Sequence, residues 1–286
     1  MSYKIITDSC CDLSEQMCEE LGIAVVAMCA TIDGKTINRF SEEQLKQIYV
    51  ELRNKAPSST AAANPQDWED AIVPALEQGE DALVLAFSSG MSTTYQSAVI
   101  AAEELMERYP GRTVKVVDTL CASMGQGLLV YYACKKRDAG LSLEDLTAWC
   151  EENKHKIAHW VTVDDLFHLK RGGRVSAATA VAGTMLQIKP VIHVDAEGRL
   201  VNVAKARGRK AALQTLAKKM ADTQIVGAND TIFISHGDCI EDAQALSEML
   251  KETCGVKEVI IHYIGAVVGS HAGPGTIALF FLANER

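Results

Sequence analysis

Apolar and polar residues along this chain fall into blocks whose period switches between that of a strand and that of a helix. The apolar runs Tyr3-Lys4-Ile5-Ile6-Thr7, Leu83-Val84-Leu85-Ala86-Phe87 and Thr113-Val114-Lys115-Val116-Val117 read as strands. Helical patterns follow them or lie between them. Ser14 precedes Glu15 and Gln16 as an N-cap, Ser41-Glu42-Glu43 opens a helix to about Lys55, and Trp68, Ile72 and Leu76 share one helical face. The stretch from Ile23 to Ile32 reads as a strand, and Asp33-Gly34 before Lys35-Thr36-Ile37 as a tight hairpin turn. Strand, polar junction and helix recur in this order, which predicts a mainly parallel sheet with helices on both faces. Ligands of such sheets sit at the carboxyl ends of the strands, where Asp8, Ser88 to Ser92 and Asp118 fall.

Beyond helices ending near Ala139-Gly140 and running from Ser142 to about His155, the pattern changes. Val161-Thr162-Val163 leads into Leu166-Phe167-His168-Leu169-Lys170-Arg171-Gly172-Gly173-Arg174 and an Ala-rich helical stretch ending at Lys189-Pro190. Val191 to Val194 and Arg199 to Val203, joined by Asp195-Ala196-Glu197-Gly198, read as a hairpin. A helix from about Arg209 to Ala221, strand 231–236, helix 241–254, strand 259–263 and a closing segment 265–282 follow. The change of pattern predicts two domains, 1–158 and 159–286.

Composition narrows the functional class. The 286 residues, 48% of them apolar, can bury a sizeable core. Lys and Arg number 28 against 37 Asp and Glu, and the resulting charge of −9 opposes nucleic-acid binding. The start Met1-Ser2-Tyr3-Lys4 carries no apolar targeting run, and no apolar stretch is long enough to span a bilayer, so a cytoplasmic protein is expected. Nine cysteines lie at no metal-ligand spacing, which predicts reduced thiols, with adjacent Cys10 and Cys11 as small buried residues. No metal and no cofactor is expected.

Three segments carry candidate chemistry. The junction Ser88-Ser89-Gly90-Met91-Ser92-Thr93-Thr94-Tyr95-Gln96-Ser97 offers hydroxyls and backbone N–H groups that suit an oxyanion. It lacks the Gly-x-Ser-x-Gly elbow of a hydrolase, and the chain has no phosphate loop or dinucleotide fingerprint. Gly269-Ser270-His271-Ala272-Gly273-Pro274-Gly275 presents an imidazole among small, tightly turning residues. Arg171 and Arg174 flank Gly172-Gly173 as a clamp for phosphate or carboxylate. The basic run Lys205-Ala206-Arg207-Gly208-Arg209-Lys210 is either a solvated helix start or a docking site for an anionic group or acidic partner.

In this order and spacing the segments resemble the DegV family of bacterial lipid-binding proteins. The resemblance rests on Thr7-Asp8-Ser9-Cys10-Cys11-Asp12-Leu13, Thr60 to Pro65, Ser88 to Ala98, Val117-Asp118-Thr119, Leu169 to Ser176, Ile188-Lys189-Pro190-Val191, Asp195 to Gly198, Lys205-Ala206-Arg207 and Gly269 to Gly275. It implies an α/β fold of two domains, the first with a parallel sheet and the second with a mixed, largely antiparallel one. A long-chain fatty acid such as palmitate would lie in a tunnel between them. Its carboxylate would be held by Thr60, Ser92 and His271, with Thr94 and Arg171 or Arg174 as further contacts. The resemblance also implies a non-enzymatic carrier whose partner is a separate fatty acid kinase. Lys205, Arg207 and Arg209 would dock that kinase or make a transient membrane-surface contact. Ala61, Met91 and Thr93 depart from the family's usual Ser, Leu and Gly. The alternative expectation is a hydrolase or acyl transferase with Ser92 activated by His271.

Overall fold

The computed structural model describes residues 2–38, 41–164, 166–175 and 187–284. Three strands at the carboxyl side of which chemistry was expected, β1 (Tyr3–Asp8), β6 (Asp81–Ala86) and β7 (Val114–Asp118), join β2 (Ala24–Val26) in a parallel sheet of order β2-β1-β6-β7. Every residue of β6 is buried, as befits a central parallel strand covered on both faces. Ile6, Val84 and Ala86 face α3 (Pro65–Glu77) and α4 (Thr94–Arg108), where Trp68, Ile72 and Leu105 meet them. Ile5, Leu83 and Leu85 face the other way, towards α5 (Met124–Asp138) and α6 (Leu143–Asn153). The alternation along one strand thus fills two cores.

The expected single strand from Ile23 to Ile32 is two strands in different sheets. The chain leaves the parallel sheet at Val26, and β3 (Cys29–Ile32) forms an antiparallel sheet with β4 (Lys35–Ile37) and β5 (Ser58–Ala61) in the order β4-β3-β5. The Met28 N–H donates to Ser9 Oγ at 3.0 Å, anchoring the break. An apolar run alone cannot reveal such a switch, because both halves are half-buried strands. The segment after Pro57 supplies β5, with Thr60 paired to Ala30. Asn64 then caps α3 reciprocally with Asp67.

The second large sheet holds six strands in the order β10-β9-β8-β13-β11-β12. These are β8 (Ile157–Thr162), β9 (Ile188–Val194), β10 (Leu200–Arg207), β11 (Thr231–His236), β12 (Glu258–Tyr263) and β13 (Ile277–Leu282). Only β11 and β12 run parallel; the remaining pairs are antiparallel. Ile232, Ile234, Leu279 and Phe281 pack on α8 (Arg209–Thr223) and α9 (Ile240–Cys254). The opposite face turns towards α5, where Phe233 and Phe280 share a core with Leu83 and Leu85 of the parallel sheet. Helix α5 therefore lies between the two sheets. The other α-helices among the described residues are α1 (Glu15–Glu20), α2 (Glu42–Arg53), and the short α7 (Phe167–Arg171) and α10 (Ala266–Ala272). The expected Ala-rich helical stretch lies outside the described residues through position 186, and its expected end at Lys189-Pro190 belongs to β9.

Candidate functional site

Between the sheets lies a cavity of about 520 Å³ with mainly apolar walls. One wall comes from alternate residues of the six-stranded sheet: His159 and Val161 of β8, Ile192 and Val194 of β9, Leu200 of β10, and Ala278 and Phe280 of β13. The other comes from the loops that follow the parallel strands, including Met28, Phe87, Met91 and Ala122. The size falls within the range of small-molecule sites.

Polar groups gather where β5, the serine junction and α10 meet. Thr60 Oγ1 lies 2.8 Å from His271 Nε2, and Ser92 Oγ lies 2.8 Å from Thr94 Oγ1. Thr60, Ser92, His271 and Arg174 all line the cavity. Thr94 is fully buried and is not on the lining; it supports Ser92 from below and donates towards Met28 Sδ at 3.7 Å. Burial first, then the neighbouring guanidiniums of Arg174 and Arg171, push the His271 pKa down from 6.5 to about 4. The ring is therefore neutral near pH 7. Its Nδ1 is buried without a hydrogen-bond partner, so a proton on Nε2, donated to Thr60, leaves no donor orphaned. Thr60 can then turn its own O–H into the cavity.

Arg174 and Arg171 do not converge. Arg174 reaches the cavity and donates from Nε to the Met91 carbonyl at 3.3 Å. Arg171 instead ties α7 to the start of β5, donating to the Ala56 carbonyl at 3.2 Å and Ser58 Oγ at 2.6 Å. Of the basic run, Lys205 and Arg207 are exposed on the edge strand β10, whereas Arg209 donates to Asp242 Oδ2 at 2.9 Å. Cys10 and Cys11 are buried, with burial raising the Cys10 thiol well above its usual pKa.

The expectation of free backbone N–H groups at the serine junction is corrected for its first part: the N–H groups of Thr93, Tyr95 and Gln96 at the start of α4 make no hydrogen bond among the described residues, but those before them are taken. Phe87 donates to Asp8 Oδ2, Ser89 to Asp118 Oδ1, Ser88 to the Cys121 carbonyl, and Gly90 to Ser88 Oγ. Met91 and Ser92 both donate to the Ser88 carbonyl, and Thr94 to Ser92 Oγ. Asp8 and Asp118 thus hold the start of the junction in shape, each taking one of its donors. Burial raises the Asp8 pKa to about 6 in spite of the hydrogen bonds it accepts. An anion here would meet side-chain hydroxyls, the Thr60 and His271 pair, and Arg174.

Two contributors were not singled out from the sequence. A Cβ on Gly172 would stand 2.1 Å from His271 Nδ1, so this glycine lets α7 close over the imidazole. His159 lies in the cavity wall with Nδ1 donating to the Ile157 carbonyl at 2.9 Å and Nε2 accepting from Ala122 at 3.2 Å. A lone polar residue among the alternating apolar positions 157, 161 and 163 was the available signal. Among the described residues, no group of three His, Cys, Asp or Glu side chains is arranged to hold a metal ion.

The sequence pattern of the DegV family, which is described as uncharacterised, matches residues 2–284. The chain belongs to the DegV family. A DegV domain-containing protein of Clostridium perfringens is 45% identical over 99% of this chain and 98% of its own. A Thermus thermophilus structure, described as fatty acid binding of a DegV family protein, superposes with TM-score 0.88 at 32% identity and covers 99% of this chain and 100% of its own. A DegV lipid binding protein from Thermotoga maritima gives TM-score 0.88 at 27% identity over 100% of both chains. The α/β fold with one parallel and one mixed sheet is thus that of the DegV structures. Among the described residues, no helix is long and apolar enough to cross a membrane.

Proposed function

We propose that this DegV chain binds a long-chain fatty acid in the cavity and presents its carboxylate at Thr60, Ser92 and His271. The observation that carries the reading is a cluster of polar groups, bearing the Thr60 and His271 pair, on a mainly apolar cavity. The fatty acid binding named for the Thermus thermophilus relative supports it. A tail of about fourteen methylenes, at roughly 0.8 kcal/mol for each one buried, contributes on the order of 11 kcal/mol before ordering costs. The tail supplies affinity, and the hydroxyls fix direction. Arg174, already engaged with Met91, adds positive potential beside the headgroup without closing over it.

The protein acts as a carrier in this reading, with a fatty acid kinase as partner and exposed Lys205 and Arg207 as its docking positions. The same pair suits an anionic membrane surface, and we favour the kinase. Against a Ser92 nucleophile stand the pairing of Ser92 with Thr94 and of His271 with Thr60, so the base and the proposed nucleophile each have another partner. Native mass spectrometry with lipid extraction tests the reading. A stoichiometric acyl chain, or its uptake when fatty acid is offered, supports it; a protein that neither carries nor takes up fatty acid overturns it.

A further inference from the structure

The cavity has a polar end and, four residues further along the six-stranded sheet, a closed one. Thr276, whose hydroxyl is tied to the Ala272 and Gly273 carbonyls beside His271, marks the first. Phe280 lies four positions on, about 13 Å at the rise of a strand, and pairs directly with His159. Both line the cavity. The next positions on that face, Ile157 and Leu282, also pair with each other and are packed into the core around α5. Along β13 the open space therefore stops at the row that holds His159 and Phe280, while across the sheet the lining runs on to Val194 and Leu200, which pair with each other.

His159 is unusually well fixed for a residue facing an apolar space. Its Nδ1 donates to Ile157, its Nε2 accepts from Ala122, and its ring meets Phe280 edge-on with centroids 5.1 Å apart. Behind it, α5 passes so closely that a Cβ on Gly125 would lie 2.1 Å from Nε2. The ring can neither swing back nor spare a nitrogen for a ligand. What it turns to the cavity is carbon.

We propose that His159, backed by Phe280, is the wall that stops the acyl tail along β13, limits its length and restricts the ligand to fatty acids whose far end is plain hydrocarbon. A longer tail would have to displace a ring held by two hydrogen bonds. A tail ending in a hydroxyl or carboxyl would bury that group against a ring whose two nitrogens are both already bonded. This inference rests on the fatty-acid reading of the cavity.

The test is a ladder of saturated acids stepped by two carbons, together with ω-hydroxylated counterparts, titrated against the wild type, His159→Ala and Phe280→Leu. The wild type should show a length above which affinity falls, and should bind ω-hydroxy acids at least tenfold more weakly than plain ones. Each variant should move the optimum to longer acids, with relative affinity gained on the order of tenfold per two-carbon step, since one buried methylene is worth about fourfold. Phe280→Leu keeps an apolar side chain and both His159 hydrogen bonds, so it decides the matter if His159→Ala does not fold. An unchanged length profile in a folded, acyl-binding variant overturns the end wall, as does equal binding of ω-hydroxy acids by the wild type. A wild type that binds no acid of any length overturns the fatty-acid reading instead.

Discussion

Thr60 and His271, 211 positions apart in sequence, meet at 2.8 Å across the polar end of the cavity. Thr60 stands on a strand of the small antiparallel sheet and His271 on a short helix before β13, so the contact exists only when these parts of the chain are docked. Thr60→Val should strip His271 of its partner and the carboxylate of one donor. Loss of a buried hydrogen bond costs about 1–3 kcal/mol, so fatty-acid affinity should fall about ten- to hundredfold, while Thr60→Ser retains most of it. Displacement titration of a fluorescent fatty acid checks this, and wild-type affinity in Thr60→Val would remove Thr60 from the site.

Gly172 and Gly173 are adjacent but should respond oppositely to alanine. Gly172 has an ordinary backbone, with φ −76°, and a Cβ there would collide with His271 Nδ1. Gly173 has φ +72° and open space around it. Gly172→Ala should therefore weaken ligand binding by shifting the imidazole. Gly173→Ala should cost about 1–2 kcal/mol of stability for its left-handed backbone and leave affinity nearly unchanged. Thermal melts and binding titrations on both variants separate the two effects.

Which parts of the site were legible in the sequence follows from the range of the interactions involved. Ser92, Thr60 and His271 sit in short motifs whose residue types survive in order, so they could be named. The serine junction invited the reading of free N–H groups throughout because a sequence displays donors, whereas two of the acceptors that take them are remote. Asp8 is 79 positions from Phe87, and Asp118 is 29 from Ser89. Arg171 and Arg174 looked equivalent around two glycines. Only the end of α7 and the left-handed turn at Gly173 send one towards β5 and the other into the cavity. The break of 23–32 into two sheets was invisible for a related reason: both halves carry strand-like residues, and what divides them is the partner each finds.

That divergence of the two arginines is itself testable. Arg174→Ala should reduce fatty-acid affinity and its dependence on salt, because it removes a charge at the cavity. Arg171→Ala should lower the melting temperature by freeing the start of β5 while affecting affinity less. The reverse pattern would mean that Arg171 holds the headgroup.

Asp12, which is buried, and His271, which is half-buried, give stability opposite slopes with pH. Asp12 has its pKa raised from 3.8 to about 7, by burial above all and further by Asp8, against the hydrogen bonds from Ser123 and the Gly265 N–H. Its contribution to stability is complete below the unfolded value near 3.8 and is lost as pH rises through about 7. His271, depressed to about 4, acts the other way: the unfolded chain binds its proton first, so stability falls as pH drops from 6.5 towards 4. Asp12→Asn should therefore make stability rise more steeply with pH between about 4 and 7, and His271→Gln should make it rise less steeply. Whatever constant offset each substitution brings, the change in slope of the melting temperature against pH is the readout. Parallel curves would show that neither group titrates as its burial implies.

Ser88 and Ser92 share one junction and should separate structure from binding. Ser88 Oγ donates to the Gly198 carbonyl at 2.8 Å, fastening the junction to the turn between β9 and β10, and it is fully buried. Ser92 faces the cavity beside Thr94. Ser88→Ala should cost about 1–3 kcal/mol by leaving a buried carbonyl short of a partner, with fatty acid still carried by the folded protein. Ser92→Ala should cost about 1 kcal/mol in the ligand-free protein, by stripping the Thr94 N–H and hydroxyl of their partner, and in addition lower affinity about tenfold, since Thr60 and Arg174 remain. The same pair tests the enzymatic alternative. A hydrolase working through Ser92 would turn over an acyl ester and lose that turnover entirely in Ser92→Ala, whereas a carrier shows only the graded loss of affinity expected when one of several hydrogen-bond donors is removed.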